Sequence, residues 1–144
     1  MVAVVQSAAM AAGTGDRAWD AAAIGELLAT PGAFGYLAVE GEEPQPLGFV
    51  FCRHVAGEAE ILVLAVLPEH WRRGIGRGLL DAALARAAGL GIERILLEVA
   101  VDNISARALY DSAGFGSVGR RPAYYRRSDG RQVDAITLER PVLP

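Results

Sequence analysis

The stretch Leu62-Val63-Leu64-Ala65-Val66-Leu67-Pro68-Glu69-His70-Trp71-Arg72-Arg73-Gly74-Ile75-Gly76-Arg77-Gly78-Leu79-Leu80 decides the architecture. It reads as a buried strand, a proline stop, a turn rich in glycine and arginine, and the start of a helix. Glycine lets backbone N–H groups approach a ligand with no Cβ in the way. A turn feeding a helix N-terminus is a natural anion site, because the dipole is positive there and the first amides lack partners. Three arginines around the turn, Arg72, Arg73 and Arg77, would each oppose the dipole by about 0.3–1 kcal/mol when exposed. An anion turns that cost into a gain, so the turn is expected to hold a pyrophosphate. The spacing is not a dinucleotide fingerprint, since the third glycine counted from Gly74 would fall on Leu79, and no Gly-Lys-Ser/Thr follows to make a P-loop. A plain strand-to-helix turn is the alternative.

Outward from this turn the pattern is α/β. Glu60 to Leu67 is apolar on both faces, which predicts a central strand. Before it, Ala33 to Val39 and Leu47 to Arg53 flank a polar turn at 40–44 and read as an antiparallel hairpin. Further upstream, residues 3–12 read as a short helix or strand, and Asp20 as the N-cap of a helix over 21–29. After the turn, Leu79, Leu80, Ala83, Leu84, Ala87 and Ala88 recur at helical spacing until Gly89 and Gly91. Arg94 to Val101 is a second buried strand. Asn103 or Asp102 then caps a helix carrying Ala106, Leu109 and Tyr110, which Gly114 stops. Residues 115–125 and 133–140 form a last strand pair around Ser128-Asp129-Gly130. The two strands flanking the long helix should be parallel, joined by a right-handed crossover in a mixed, mostly antiparallel sheet.

Composition bounds the function. With 144 residues the chain reads as one domain, 1–144. A net charge of −3 argues against nucleic acid and membrane surfaces as partners. No apolar run approaches the length of a membrane span, and the N-terminal stretch lacks the basic start of a signal peptide. All 14 basic residues are arginine, which excludes chemistry that needs a lysine. The single cysteine, Cys52, fits a reducing cytoplasm. Two histidines and one cysteine suggest no metal cluster.

Three further residues carry possible chemistry. Glu98 interrupts the apolar run Ile95-Leu96-Leu97-Glu98-Val99-Ala100-Val101. A buried carboxyl there suits a general base; a solvent-facing glutamate or an Arg-paired one is the alternative. Tyr110 could donate a proton to a departing thiolate, or be a core tyrosine. Asn103 is most simply a helix cap and could also face a ligand. The basic stretch Arg120, Arg121, Arg126, Arg127 and Arg131, with Tyr124 and Tyr125, reads as a solvated hairpin or as a site for an anionic substrate.

These residues together resemble the GCN5-related N-acetyltransferase superfamily. The elements that carry the likeness are Leu64-Ala65-Val66-Leu67-Pro68, Arg72-Arg73-Gly74-Ile75-Gly76-Arg77-Gly78-Leu79-Leu80, Leu97-Glu98-Val99, Asn103, Ala108-Leu109-Tyr110 and Gly114-Phe115. The tail (Arg120-Arg121, Tyr124-Tyr125, Asp129-Gly130-Arg131, Asp134-Ala135-Ile136) and Trp19 are similar to the bacterial ribosomal-protein-alanine N-acetyltransferases within it. The resemblance implies a sheet splayed at the parallel pair, helices on both faces, and acetyl-CoA as co-substrate with no metal. Its pantetheine arm would lie along Leu64, Ala65 and Val66, and its pyrophosphate on the N–H groups of Arg72, Arg73, Gly74, Ile75, Gly76 and Arg77, with Gly78 in the same turn and Asn103 nearby. Glu98 would be the base and Tyr110 the acid. The acceptor would be a protein N-terminus, such as that of a ribosomal protein, or alternatively a small-molecule amine or a lysine. A non-catalytic acyl-CoA-binding module and a nucleotide binder using the basic tail are the readings from another class. The family's usual Gln or Arg three residues before Gly74 is Trp71 here.

Overall fold

The computed structural model describes residues 29, 31–43 and 45–142. The expected elements over 3–12 and most of 21–29, and Trp19, lie outside them. Within them the chain runs β1 (Ala33–Glu40), β2 (Gln45–Val55), β3 (Glu58–Val66), a 3-10 turn (Pro68–His70), α1 (Ile75–Gly89), β4 (Arg94–Ala100), α2 (Ile104–Ser112), β5 (Gly116–Arg126) and β6 (Gln132–Pro141). The strands form one sheet in the order β1-β2-β3-β4-β6-β5. Only β3 and β4 are parallel among the described neighbours; the rest are antiparallel. This is the expected mixed sheet, with one feature that strand patterning does not show: β6 inserts between β4 and β5, so the last strand pair joins the sheet through its second member.

Alternation along the strands sorts side chains to two faces. On β2, Val50 and Cys52 enter one core cluster, whereas Phe49 and Phe51 enter another. The larger cluster holds Leu79, Leu80, Ala83 and Ala87 of α1 together with Tyr110 of α2, so both described helices pack on the same face. Leu80 and Ile95 at its centre are fully buried. Helices on the opposite face, where Phe49, Phe51 and Ala65 cluster, were expected from residues outside the described set. No described helix is long and apolar enough to cross a membrane.

Candidate active site

The parallel pair is laddered over only part of its length. Glu58 pairs with Arg94, Ala59 with Ile95 and Glu60 with Leu96; the register ends there, although β3 continues to Val66 and β4 to Ala100. Beyond Glu60, the backbone groups of β3 that face β4 lack ladder partners, while its other edge stays paired to β2 as far as Gly48↔Val66. Leu64, Ala65 and Val66 thus lie on an open edge inside the sheet, the splay expected at the parallel pair. Backbone left unpaired in such a gap is ready to bond an extended, amide-bearing molecule, although the Val66 carbonyl already accepts from the Trp71 indole.

The turn after β3 delivers the chain to α1. Gly74 is the N-cap and takes φ 81°, a left-handed conformation that suits glycine. The first hydrogen bond of the helix runs from Gly78 N–H to Gly74 O, which leaves the amides of Ile75, Gly76 and Arg77 pointing outward from the helix start. A Cβ built on Gly74 or Gly78 would meet nothing within 4 Å. One built on Gly76 would stand 3.6 Å from Leu109 Cδ2 and 3.8 Å from Val66 Cγ2, so the turn, the end of β3 and α2 meet at this glycine. Bare amides beside open space fit a pyrophosphate.

The arginines of the turn are a correction. Arg73 pairs with Glu40 at 2.6 Å and contacts His70 Nδ1 at 2.9 Å. That guanidinium, by hydrogen bond and charge, holds the Glu40 carboxyl below the usual carboxylate range. Arg77 bonds Asp81 at 3.0 Å and Ser112 Oγ at 3.2 Å. Their charges are already offset inside the protein, so no anion is needed to compensate them. Arg72 is exposed, has no ion-pair partner among the described residues, and takes φ 65°. For a residue with a Cβ that conformation costs about 1–2 kcal/mol. Trp71, 49% exposed, donates its indole N–H to Val66 O at 2.7 Å and so ties the turn to the last residue of β3.

Glu98 stands on β4 two residues past the last rung of the ladder, opposite Thr137 of β6. Its neighbours Leu97 and Val99 belong to the helix-covered core, so its side chain points to the other face. There it pairs with Arg121 Nε at 3.0 Å. The side chain is 17% exposed, and its Oε2 is buried without a hydrogen-bond partner among the described residues. An unsatisfied buried acceptor costs about 1–3 kcal/mol, more for a charged group, unless a donor arrives. Glu98 and Arg121 line a cavity of about 310 Å³ with Arg53, Glu58, Glu60 and Thr137. Strand alternation places Glu58 and Glu60 on one face in the sequence, but nothing local brings Arg121 or Thr137 to them.

Tyr110 is buried in the opposite face, ring edge against Phe115 at 5.6 Å. Burial, then the neighbouring Cys52 and Tyr125, push its phenol well above the ordinary range, so it keeps its proton at neutral pH. Asn103 is the N-cap of α2, its side chain accepting from Ala106 N–H at 3.3 Å. The structure therefore brings Glu98 and Tyr110 to opposite faces of the sheet, and the unladdered segment of β3 and β4 is the window between them. Cys52 is fully buried, and burial pushes its thiol up to about 12, which leaves little thiolate for attack. In the basic stretch, Arg120 pairs with Asp134, Arg121 with Glu98, Arg127 with Asp102 and Arg131 with Asp129, so most of its charge is spent internally. Among the described residues no group of three or more His, Cys, Asp or Glu could hold a metal ion.

Known proteins are similar in sequence and fold. The chain is 37% identical over 94 residues to the [ribosomal protein bS18]-alanine N-acetyltransferase of Escherichia coli K12. That match covers 65% of this chain and 63% of the relative, so the chain spans under two thirds of that relative's length. The crystal structure of the ribosomal-protein-S18-alanine N-acetyltransferase from Escherichia coli superposes with a TM-score of 0.84 at 25% identity, covering 99% of this chain and 87% of that one. A phosphinothricin acetyltransferase from Sinorhizobium meliloti, solved in complex with acetyl-CoA, shares the fold at a TM-score of 0.68 and 23% identity, over 76% of this chain and 61% of that one. The acetyltransferase (GNAT) family matches residues 7–115, from before β1 through the turn, the open edge, Glu98 and Tyr110, and the chain belongs to that family.

Proposed function

We propose that the protein is an acetyl-CoA-dependent N-acetyltransferase that acts on the N-terminal α-amine of a protein such as a ribosomal protein. The observations that carry this reading are the open edge of β3 and the Glu98 carboxylate, which lines a cavity and keeps a buried Oε2 without a hydrogen-bond partner among the described residues. The bare amides from Ile75 to Arg77 receive phosphate, and residues 64–66 bond the pantetheine amides. Asn103 lies at the same end of the site. A single domain over residues 1–144 carries the reaction, in the cytoplasm, where such an acceptor is met.

Glu98, through a water, takes a proton from the acceptor ammonium. The neutral nitrogen forms a C–N bond at the thioester carbonyl carbon. A β3 amide N–H at residues 64–66 stabilises the charge that builds on the carbonyl oxygen, a contribution of about 3–4 kcal/mol in comparable sites. The C–S bond breaks, its electron pair leaves on sulfur, and Tyr110 gives that thiolate its proton; the nitrogen, made cationic by attack, loses its second proton as the amide forms, and that proton restores the Tyr110 phenol while Glu98 returns its own to solvent. A thiolate released in so buried a place is itself made more basic, as the Cys52 thiol is, which helps the transfer from a weakly acidic phenol. Transfer is direct, with no acetyl-Cys52 step.

The test is acetylation of a free-amine peptide library with mass-spectrometric assignment of the modified nitrogen. Glu98→Gln and Tyr110→Phe each lower kcat by about 10²–10⁴-fold while calorimetric acetyl-CoA affinity stays unchanged. Full activity in both variants overturns the assignment. Modification of free small-molecule amines or lysine side chains in place of α-amines moves the acceptor to those classes. Acetyl-CoA binding with no thiol release across peptides and amines leaves a binding module.

A further inference from the structure

The proposed reaction assigns Glu98 a role but leaves the paired arginines and tyrosines of β5 without one. The geometry points to Arg121 as a positioning residue: its guanidinium fixes Oε1 of Glu98 and so sets the orientation of a carboxylate whose Oε2 is left without a partner among the described residues and is free to take a proton. This rests on the acyl-transfer reading above.

The contact itself is one-sided. Arg121 Nε lies 3.0 Å from Oε1, whereas Oε2 is buried and has no hydrogen-bond partner among the described residues. A two-pronged arginine pair would occupy both oxygens. The aim of Arg121 is set by an irregularity in β5. The register between β5 and β6 shifts between Arg121 and Tyr125, and Ala123 within that interval takes φ 52°. Bulges of this kind redirect side chains, often beside active sites. Asp134 of β6 pins this one: it accepts from Ala123 N–H at 2.8 Å and from Arg120 Nε at 2.6 Å. Arg120 is thereby held on Asp134, and the next residue, pointing the other way, reaches Glu98.

Two rings complete the arrangement. The Arg121 guanidinium lies 5.4 Å from the centre of the Tyr124 ring, a cation–π contact that restrains an otherwise exposed side chain. The Tyr125 hydroxyl reaches the backbone carbonyl of Glu98 at 3.5 Å. Among these residues Arg121 alone touches the carboxylate; Tyr124 restrains Arg121, Asp134 and Arg120 hold the bulge, and Tyr125 reaches the Glu98 backbone. The other charged groups at the cavity are Arg53, Glu58 and Glu60; Glu58 is engaged by Arg94 at 3.4 Å, outside the cavity lining.

The test measures kcat and KM with acetyl-CoA and a peptide bearing a free N-terminal alanine. Arg121→Ala lowers kcat about 10- to 100-fold, as expected when a catalytic group is misplaced, with the acetyl-CoA KM unchanged. Arg121→Lys recovers most of the loss. In Glu98→Gln the same Arg121→Ala change moves kcat by less than about twofold, because both substitutions act on one step. A full 10- to 100-fold loss in that background, or wild-type kcat in Arg121→Ala, overturns the proposal. If the wild-type protein acetylates no amine, the acyl-transfer reading falls, and crystal structures of wild type and Arg121→Ala decide the positioning role separately. A Glu98 carboxylate that turns in the variant supports it; the same rotamer in both overturns it.

Discussion

The protein carries two groups of arginines, one at the start of α1 and one along β5 and the turn that follows it, and they use their charge differently. At α1, Arg73 and Arg77 are neutralised by Glu40 and Asp81, and the side chains lie beside the amides rather than replacing them. On β5, Arg121 is spent on the carboxylate of Glu98, the proposed base. The lesson is that clustered arginine does not by itself make an anion site. In the proposed reaction the backbone at α1 is the phosphate-binding element, because its arginines are mostly committed elsewhere, and on β5 an arginine serves by holding the proposed base.

The strongest way to break that contrast is to block the backbone and leave the arginines. Gly78→Trp adds a bulky ring beside the bare amides at a position where a Cβ meets nothing within 4 Å; with the fold checked by circular dichroism, calorimetry should detect no acetyl-CoA binding. Gly76 is a poorer position for this, because its Cβ would already contact Leu109 and Val66. Retained affinity in Gly78→Trp would move the phosphate site away from the turn.

A smaller effect is expected at Arg72, the arginine of the turn with no ion-pair partner among the described residues. Arg72→Gly should weaken acetyl-CoA binding by about two- to fivefold, the worth of one exposed charge near a helix end. It should also raise stability by about 1 kcal/mol, because glycine accepts φ 65° without strain. Chemical denaturation and calorimetry read the two effects separately. A loss of affinity much larger than fivefold would return the arginines to the centre of phosphate binding.

The smallest effect concerns Glu40. Arg73 lowers the Glu40 carboxyl in the folded state, so the pair stabilises the fold above the ordinary carboxylate range, and the contribution is lost as pH falls through the lowered value. Glu40→Gln should flatten the thermal stability profile in that acid region and leave acetyl-CoA affinity at neutral pH within about twofold, since the pair is exposed. A large affinity gain on freeing Arg73 would show that its charge is in reach of the phosphates.

Much of the fold was legible because its periods are clean. The two apolar runs of β1 and β2 around a polar turn, the helical spacing from Leu79 to Ala88 and the cap at Asn103 are local signals, and each element formed close to where its pattern placed it. The position of β6 between β4 and β5 was not legible, since no local pattern distinguishes it from simple succession. The end of the β3–β4 ladder was not legible from patterning either: Ile61 to Val66 is as apolar as a fully paired strand, and the splay was anticipated from family resemblance. Glu98 and Tyr110 were found by residue type and motif. The ion pairs were the least visible, because Glu40 is 33 residues from Arg73 and Glu98 stands on a different strand from Arg121. Only the folded sheet makes them neighbours.

The bond from the Trp71 indole to the Val66 carbonyl has a spectroscopic consequence. It holds one of the chain's two tryptophans half in water at the mouth of the gap between β3 and β4. An indole in that position is an intrinsic fluorophore set at the entrance to the site. A ligand that enters along the open edge, as proposed, should strip water from it, so emission from Trp71, read in a Trp19→Phe background, would report occupancy without a label and without waiting for turnover.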